Sequence, residues 1–176
     1  MRVLVTGGVR SGKSRHAEWL LRDRAAVTYV APGPTTSQDH DPDWAARVAA
    51  HRARRPATWT TVESRDLPAA LSTGPDAVLV DCLGTWLTGV LDERGLWEAP
   101  VVEVTRAVRD LLDATAAVLT DRDDVVLVTS EVGLGVVPAH RSGRIFRDLL
   151  GTVNQDLAAV CDEVHLVVAG RVLRIG

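Results

Sequence analysis

One stretch constrains this chain more than any other: Val3-Leu4-Val5-Thr6-Gly7-Gly8-Val9-Arg10-Ser11-Gly12-Lys13-Ser14. An apolar, β-branched run ends at a glycine, and Gly7 and Gly12 bracket four residues ahead of Lys13 and Ser14. The spacing G-x-x-x-x-G-K-[ST] directly after a strand is that of a phosphate-binding loop. Its glycines let backbone N–H groups close around phosphate oxygens, where a Cβ would obstruct the approach. The helix that follows turns its positive end toward the same anion. On this reading Gly7, Gly8, Val9, Arg10, Ser11, Gly12, Lys13 and Ser14 cradle a nucleotide. Lys13 reaches the outer phosphates, and the Ser14 hydroxyl ligates Mg²⁺.

The basic residues point the same way. Lysine and arginine together number 20, and the one lysine among them is Lys13. Arginine's wide planar fork cannot stand in for a compact ammonium inside such a cradle. A chance glycine-rich turn before a helix explains neither the strand before it nor the lone lysine.

The other strands and helices read as one α/β unit over residues 1–176. Val27–Ala31, Trp59–Val62, Ala77–Asp81, Val125–Thr129, Val164–Val168 and Val172–Ile175 are strand-like runs. Helical spacing is expected over Lys13–Arg24, from Asp41 through the basic cluster at His51, over 66–71, Leu83–Leu91, Val101–Leu119 and Arg144–Cys161. Asp41 ahead of Pro42 is a strong helix start, because proline costs nothing in a first turn. A proline-rich polar loop runs from Pro32 to His40. Strands alternating with helices predict a mostly parallel sheet flanked by helices. A net charge of −3 gives no reason to expect nucleic acid as a partner, and no apolar run is long enough to span a membrane. Cys82 and Cys161 have no metal-ligand spacing, which predicts reduced, buried thiols in a cytoplasmic protein.

Three further places could carry chemistry. Asp81 closes an apolar strand, where a second nucleotide-site carboxylate holding Mg²⁺ belongs; a turn-forming aspartate is the plainer alternative. His51-Arg52-Ala53-Arg54-Arg55 is either an anion trap whose imidazole attacks phosphorus, or a solvated basic helix end. Glu131, with Gly133 and Gly135, is either a ligand-side carboxylate or part of a glycine-rich turn. His16, one turn into the first helix, either approaches the nucleotide or packs behind it, with packing the favoured reading. His40, His140 and His165 have no companions by spacing, and the five tryptophans read as core and interface filler.

With these residues in view, the chain resembles the bifunctional adenosylcobinamide kinase / adenosylcobinamide-phosphate guanylyltransferase family of cobalamin biosynthesis. The likeness runs through Gly7–Glu18, Arg47-Val48-Ala49-Ala50-His51-Arg52, Arg55-Pro56, Trp59, Thr61 and Glu63. It continues through Val80-Asp81-Cys82-Leu83, Trp86-Leu87-Thr88, Thr129-Ser130-Glu131-Val132-Gly133-Leu134-Gly135 and Asn154-Gln155. The loop from Pro32 to Asp41, Trp44 and Ser130 depart from the family's usual pattern.

The resemblance implies a RecA-like P-loop fold, assembly as a trimer, and two reactions. Phosphorylation of the adenosylcobinamide hydroxyl would use ATP or GTP. GMP would then pass from GTP through a guanylylated histidine to adenosylcobinamide phosphate, giving adenosylcobinamide-GDP. The family's modified histidine falls on His51, which makes nucleophile the favoured role there. Arg52, Ala53, Arg54 and Arg55 would hold GTP phosphates, and Glu63 and Asp81 would be nucleotide-site carboxylates. Two readings compete: a one-step kinase for another small metabolite, and a nucleotide-dependent switch that recruits a partner protein.

Overall fold

The computed structural model describes residues 1–35, 41–74 and 77–175. The expected polar loop up to His40 falls partly on residues 36–40, outside the described residues. Seven strands form one sheet: β1 (Arg2–Gly7), β2 (Val27–Val30), β3 (Trp59–Val62), β4 (Ala77–Asp81), β5 (Val125–Val128), β6 (Glu163–Val168) and β7 (Arg171–Ile175). Their order is β3-β2-β4-β5-β1-β6-β7. Every pairing is parallel except β6 with β7. That exception follows from Ala169 and Gly170, both at positive φ (48° and 75°). Two residues in that region make the tight hairpin whose twist suits antiparallel strands.

Among the described residues six helices connect the strands: α1 (Lys13–Leu20), α2 (Pro42–Arg54), α3 (Leu67–Ser72), α4 (Leu83–Glu93), α5 (Val101–Thr120) and α6 (Arg141–Ala158). Alternate residues of each strand face opposite sides of the sheet, so two separate cores form. Leu4, Val78, Val80 and Leu127 pack with Trp86, Leu87, Val108 and Leu150 beneath α3 to α6. Val3, Val5, Tyr29, Leu79 and Val128 pack with Ala17 and Leu21 beneath α1. Strands covered on both faces must be apolar throughout, as Val125-Val126-Leu127-Val128 is.

α2 is built differently. None of its residues is buried. Asp41 caps it by accepting from the Asp43 N–H at 2.9 Å, and the Trp44 indole donates to the Pro34 carbonyl at 2.9 Å. The rest of its attachment is ionic: the Arg54 fork on Glu18 (2.9 and 3.2 Å) and Arg52 on Glu63 (2.7 Å). The helix bearing His51 is therefore held by polar contacts rather than by core burial.

Several boundaries differ from the sequence expectation. α1 stops at Leu20 instead of Arg24, and α6 runs from Arg141 to Ala158 instead of Arg144 to Cys161. Cys82 and Cys161 are free but only half-buried. Burial pushes both thiols up, Cys161 to about 11. Among the described residues no helix is long and apolar enough to cross a membrane.

Candidate active site

The carboxyl ends of the parallel strands share one edge, and the loop after β1 opens there. Gly7 touches its surroundings so closely that an added Cβ would meet the Val167 carbonyl oxygen at 2.4 Å and Ser11 Oγ at 2.7 Å. Gly12 takes φ 98° at the head of α1, a conformation open to glycine. The β6–β7 hairpin backs the loop, with the Gly170 N–H donating to the Ser11 carbonyl at 2.8 Å. From the other side the Glu131 N–H donates to the Gly7 carbonyl at 3.1 Å. Lys13 Nζ lies back across the loop and donates to the Gly8 carbonyl at 3.1 Å. The loop is thus tied on one side to the β6–β7 hairpin and on the other to the segment after β5.

A cavity of about 590 Å³ extends from this loop to α2. Val9, Arg10, Ser11, Gly12, Lys13 and Ser14 line it from the loop; Arg47, His51, Arg52, Arg54 and Arg55 line it from α2 and its end; Glu63, Asp81 and Ser130 line it from the ends of β3, β4 and β5. Gly7 and Gly8 shape the loop without lining the cavity, and Ala53 is exposed and does not reach it. Glu131 also stays out: its Oε1 accepts from the Gly133 N–H at 2.7 Å, closing its own turn.

Asp81 is the polar centre of the cavity. β4 delivers it beside β5, level with Val128, which in turn pairs with Val5. Tyr29 Oη donates to Asp81 Oδ2 at 3.0 Å, and His51 Nδ1 stands 3.5 Å from the same oxygen. Burial works to raise the carboxyl's pKa, but hydrogen bonds from His51, Ser14 and Tyr29 outweigh it and hold the group below the ordinary carboxylate range. Asp81 is therefore an anion at neutral pH. Its hold on Nδ1 leaves the far nitrogen, Nε2, with a lone pair facing away from the carboxylate. The Ser14 hydroxyl and the Asp81 carboxylate are hard oxygen donors lining the same cavity, the donor set that suits Mg²⁺ shared with substrate phosphates. Among the described residues no group of three or more His, Cys, Asp or Glu side chains could hold a metal by itself.

The arginine cluster divides on inspection. Arg52 pairs with Glu63 and Arg54 with Glu18. Arg55 donates to Thr61 Oγ1 at 2.8 Å and lies 3.3 Å over the Tyr29 ring. Arg47, which sequence spacing left without a role, lines the cavity one helical turn before His51. The i, i+4 spacing was the signal, obscured by the denser run of arginines after the histidine. Tyr29 was read only as a strand residue; nothing in a linear sequence shows that its phenol meets Asp81. Trp44 also lines the cavity, whereas Trp86 and Trp59 belong to the core as expected.

His16 and His165 also form a pair that spacing did not show. His165 is 1% exposed, with Nε2 2.7 Å from Glu163 Oε2 and Nδ1 2.8 Å from His16 Nε2. An ionised carboxylate only accepts, so His165 Nε2 carries the proton and its Nδ1 accepts from His16 Nε2–H. Burial, with His165 and Arg174 beside it, pushes the His16 imidazole below its usual pKa. The pair fastens α1, directly behind the phosphate loop, to β6.

The family model for cobinamide kinase / cobinamide phosphate guanyltransferase matches residues 3–175. This chain belongs to that family. Its relatives include the bifunctional adenosylcobalamin biosynthesis protein CobU of Salmonella typhimurium, 45% identical over 97% of both chains. CobU of Escherichia coli is 43% identical over the same shares. CobP of Pseudomonas aeruginosa is 41% identical, over 97% of this chain and 94% of its own. Among solved structures, the type III secretion ATPase EscN of enteropathogenic E. coli superposes with TM-score 0.56 at 10% identity. That match covers 96% of this chain and 43% of EscN. A prototypical type III secretion ATPase gives TM-score 0.52 at 10% identity, covering 94% and 51%. Those likenesses concern the fold alone, a P-loop NTPase sheet. The cobinamide kinase / guanyltransferase family membership rests on the sequence relatives.

Proposed function

We propose that this chain phosphorylates the hydroxyl of adenosylcobinamide with ATP or GTP, then transfers GMP from GTP to the resulting phosphate through His51. The observation that carries the reading is His51 Nδ1 turned to Asp81 inside the cavity that Lys13 and Ser14 line. In the first reaction the phosphate loop orients the donor nucleotide and Lys13 swings from the Gly8 carbonyl onto its outer phosphates. The acceptor oxygen bonds to the γ-phosphorus as the bridge to the β-phosphate breaks. Ser14 and Asp81 would hold Mg²⁺, which would neutralise phosphate charge.

In the second reaction His51 Nε2 bonds to the α-phosphorus of GTP, and pyrophosphate leaves. Asp81 offsets the positive charge gained by the ring, and its grip on Nδ1 keeps Nε2 aimed at the phosphorus. An oxygen of the acceptor phosphate then displaces the imidazole. Glu63 reaches the same cavity and belongs to the nucleotide's outer contacts.

The chain works as one nucleotide-binding domain in the cytoplasm, where ATP and GTP are held, and as a homo-oligomer, with a trimer expected. The exposed apolar strand β7, with Leu173 and Ile175 on one face and Val172 on the other, supports an assembly. Sedimentation across a concentration series tests it. The decisive chemical test is incubation with GTP labelled at the α-phosphate, followed by denaturing electrophoresis. An acid-labile, alkali-stable label lost in His51→Ala is the expected outcome; an unlabelled, nucleotide-binding wild type would remove the histidine step.

A further inference from the structure

The guanylyl step requires positive charge against the α-phosphate, and Asp81, an anion beside the nucleophile, works against it. The arginines following His51 are poorly placed to compensate. Arg52 is paired with Glu63 at 2.7 Å, Arg54 lies as a fork on Glu18, and Arg55 is held by Thr61 and the Tyr29 ring. Recruiting any of these three to a phosphate means first giving up a contact that anchors α2 or β3.

Arg47 is in a different position. It stands four residues before His51 on α2, so the two side chains share one face of the helix. Both line the cavity, with Trp44 and Val48 of the same face beside them. Among the described residues Arg47 makes no hydrogen bond and no ion pair. Side chains on a helix lean toward its N-terminus, so the His51 imidazole lies over the turn that carries Arg47. The opposite wall has its own cations, Arg10, Lys13 and Arg15, which suit the phosphates seated in the loop. The cavity therefore has two positive poles, one at the phosphate loop and one at the turn of α2 that carries the nucleophile.

We propose that Arg47 is the residue that holds the α-phosphate while His51 attacks it, resting on the guanylylation of His51 put forward above. The Nε2–phosphorus bond forms as the bond from the α-phosphorus to the bridging oxygen breaks. Pyrophosphate takes that electron pair. The Nδ1 proton stays between the ring and Asp81, and the guanidinium fork of Arg47 meets the two non-bridging α-oxygens, in the transition state and in the adduct.

The test is the single-turnover rate of label transfer from α-labelled GTP to the full chain, measured against GTP concentration. Wild type, Arg47→Ala, Arg47→Lys, Arg52→Ala and His51→Ala are compared, with circular dichroism confirming the fold of each. Arg47→Ala is expected to cut the saturating rate about 100-fold, the loss usual for one transition-state donor. Arg47→Lys recovers part of it, and added guanidinium ion at non-denaturing concentration recovers part of the rate in Arg47→Ala. Arg52→Ala is expected to act mainly on the half-saturating GTP concentration. A saturating rate unchanged in Arg47→Ala, or one that guanidinium does not raise, overturns the assignment while label lost in His51→Ala leaves the histidine mechanism standing. A wild type that takes no label overturns both.

Discussion

The phenol of Tyr29 donates to Oδ2 of Asp81 at 3.0 Å, the same oxygen that His51 Nδ1 approaches to 3.5 Å. Tyr29 is almost fully buried, and burial together with the adjacent Asp81 charge pushes its phenol far above the usual pKa, so it acts only as a donor. Tyr29→Phe keeps the ring beneath Arg55 and removes only this bond. A lost hydrogen bond to a buried charge costs about 1.5–3 kcal/mol. Urea unfolding at neutral pH should show a loss of that size, and guanylylation of His51 should slow because the carboxylate that aims the imidazole is less firmly held. An unchanged labelling rate would mean that Ser14 and the backbone position Asp81 unaided.

Gly7 fails as alanine for a spatial reason. The new methyl would stand 2.4 Å from the Val167 carbonyl oxygen, and backbone cannot withdraw as a flexible side chain would. Forcing β1 away from β6 should cost about 1–3 kcal/mol and displace the loop that β6 backs. Gly7→Ala is expected to lower both the unfolding midpoint and nucleotide affinity. Gly8→Ala, where a Cβ meets nothing within 4 Å, is expected to spare stability. Calorimetry of the two variants side by side separates the effects.

These contrasts show what a linear reading reaches. The central strands β2, β4 and β5 were legible because their apolar, β-branched runs are short and bounded by turn residues, and the starts of α2 and α3 because Asp41 and Asp66 cap them through local bonds. The start of α6 was not, since His140 caps it without a side-chain hydrogen bond. Within the site, the phosphate loop, His51 and Asp81 were legible because local spacing or a strand end marks each. The sorting of the arginines was not, because it depends on Glu18 and Glu63, which only the fold brings to α2. The Tyr29–Asp81 and His16–His165 contacts escaped for the same reason: the partners lie 52 and 149 residues apart along the chain.

Replacing His165 with leucine should loosen the loop from behind. The substitution fits the volume but strands the His16 Nε2 donor and frees Glu163. Leaving a half-buried donor unpaired costs about 1–3 kcal/mol, and α1 loses its polar tie to β6. Urea unfolding should show the stability loss, and nucleotide titration should show weaker binding, since α1 presents Lys13 and Ser14. A stability loss with unchanged affinity would limit the pair to a structural role.

Asp81 sets the sign of an acid effect. Its carboxyl is held below the ordinary range in the folded protein by His51, Ser14 and Tyr29, despite burial. The unfolded chain binds this proton at about pH 4, so near that pH the unfolded state carries more protons than the folded one. The stability contributed by Asp81 is then fully present above about pH 4 and is lost as pH falls through the lower folded value. In Asp81→Asn this contribution is gone at every pH. Unfolding free energies of wild type and variant, measured from neutral pH downward, should therefore converge as acid is added, because the wild type alone loses the Asp81 term. Curves that stay parallel below about pH 4 would mean that the carboxylate gains nothing from its three donors on folding.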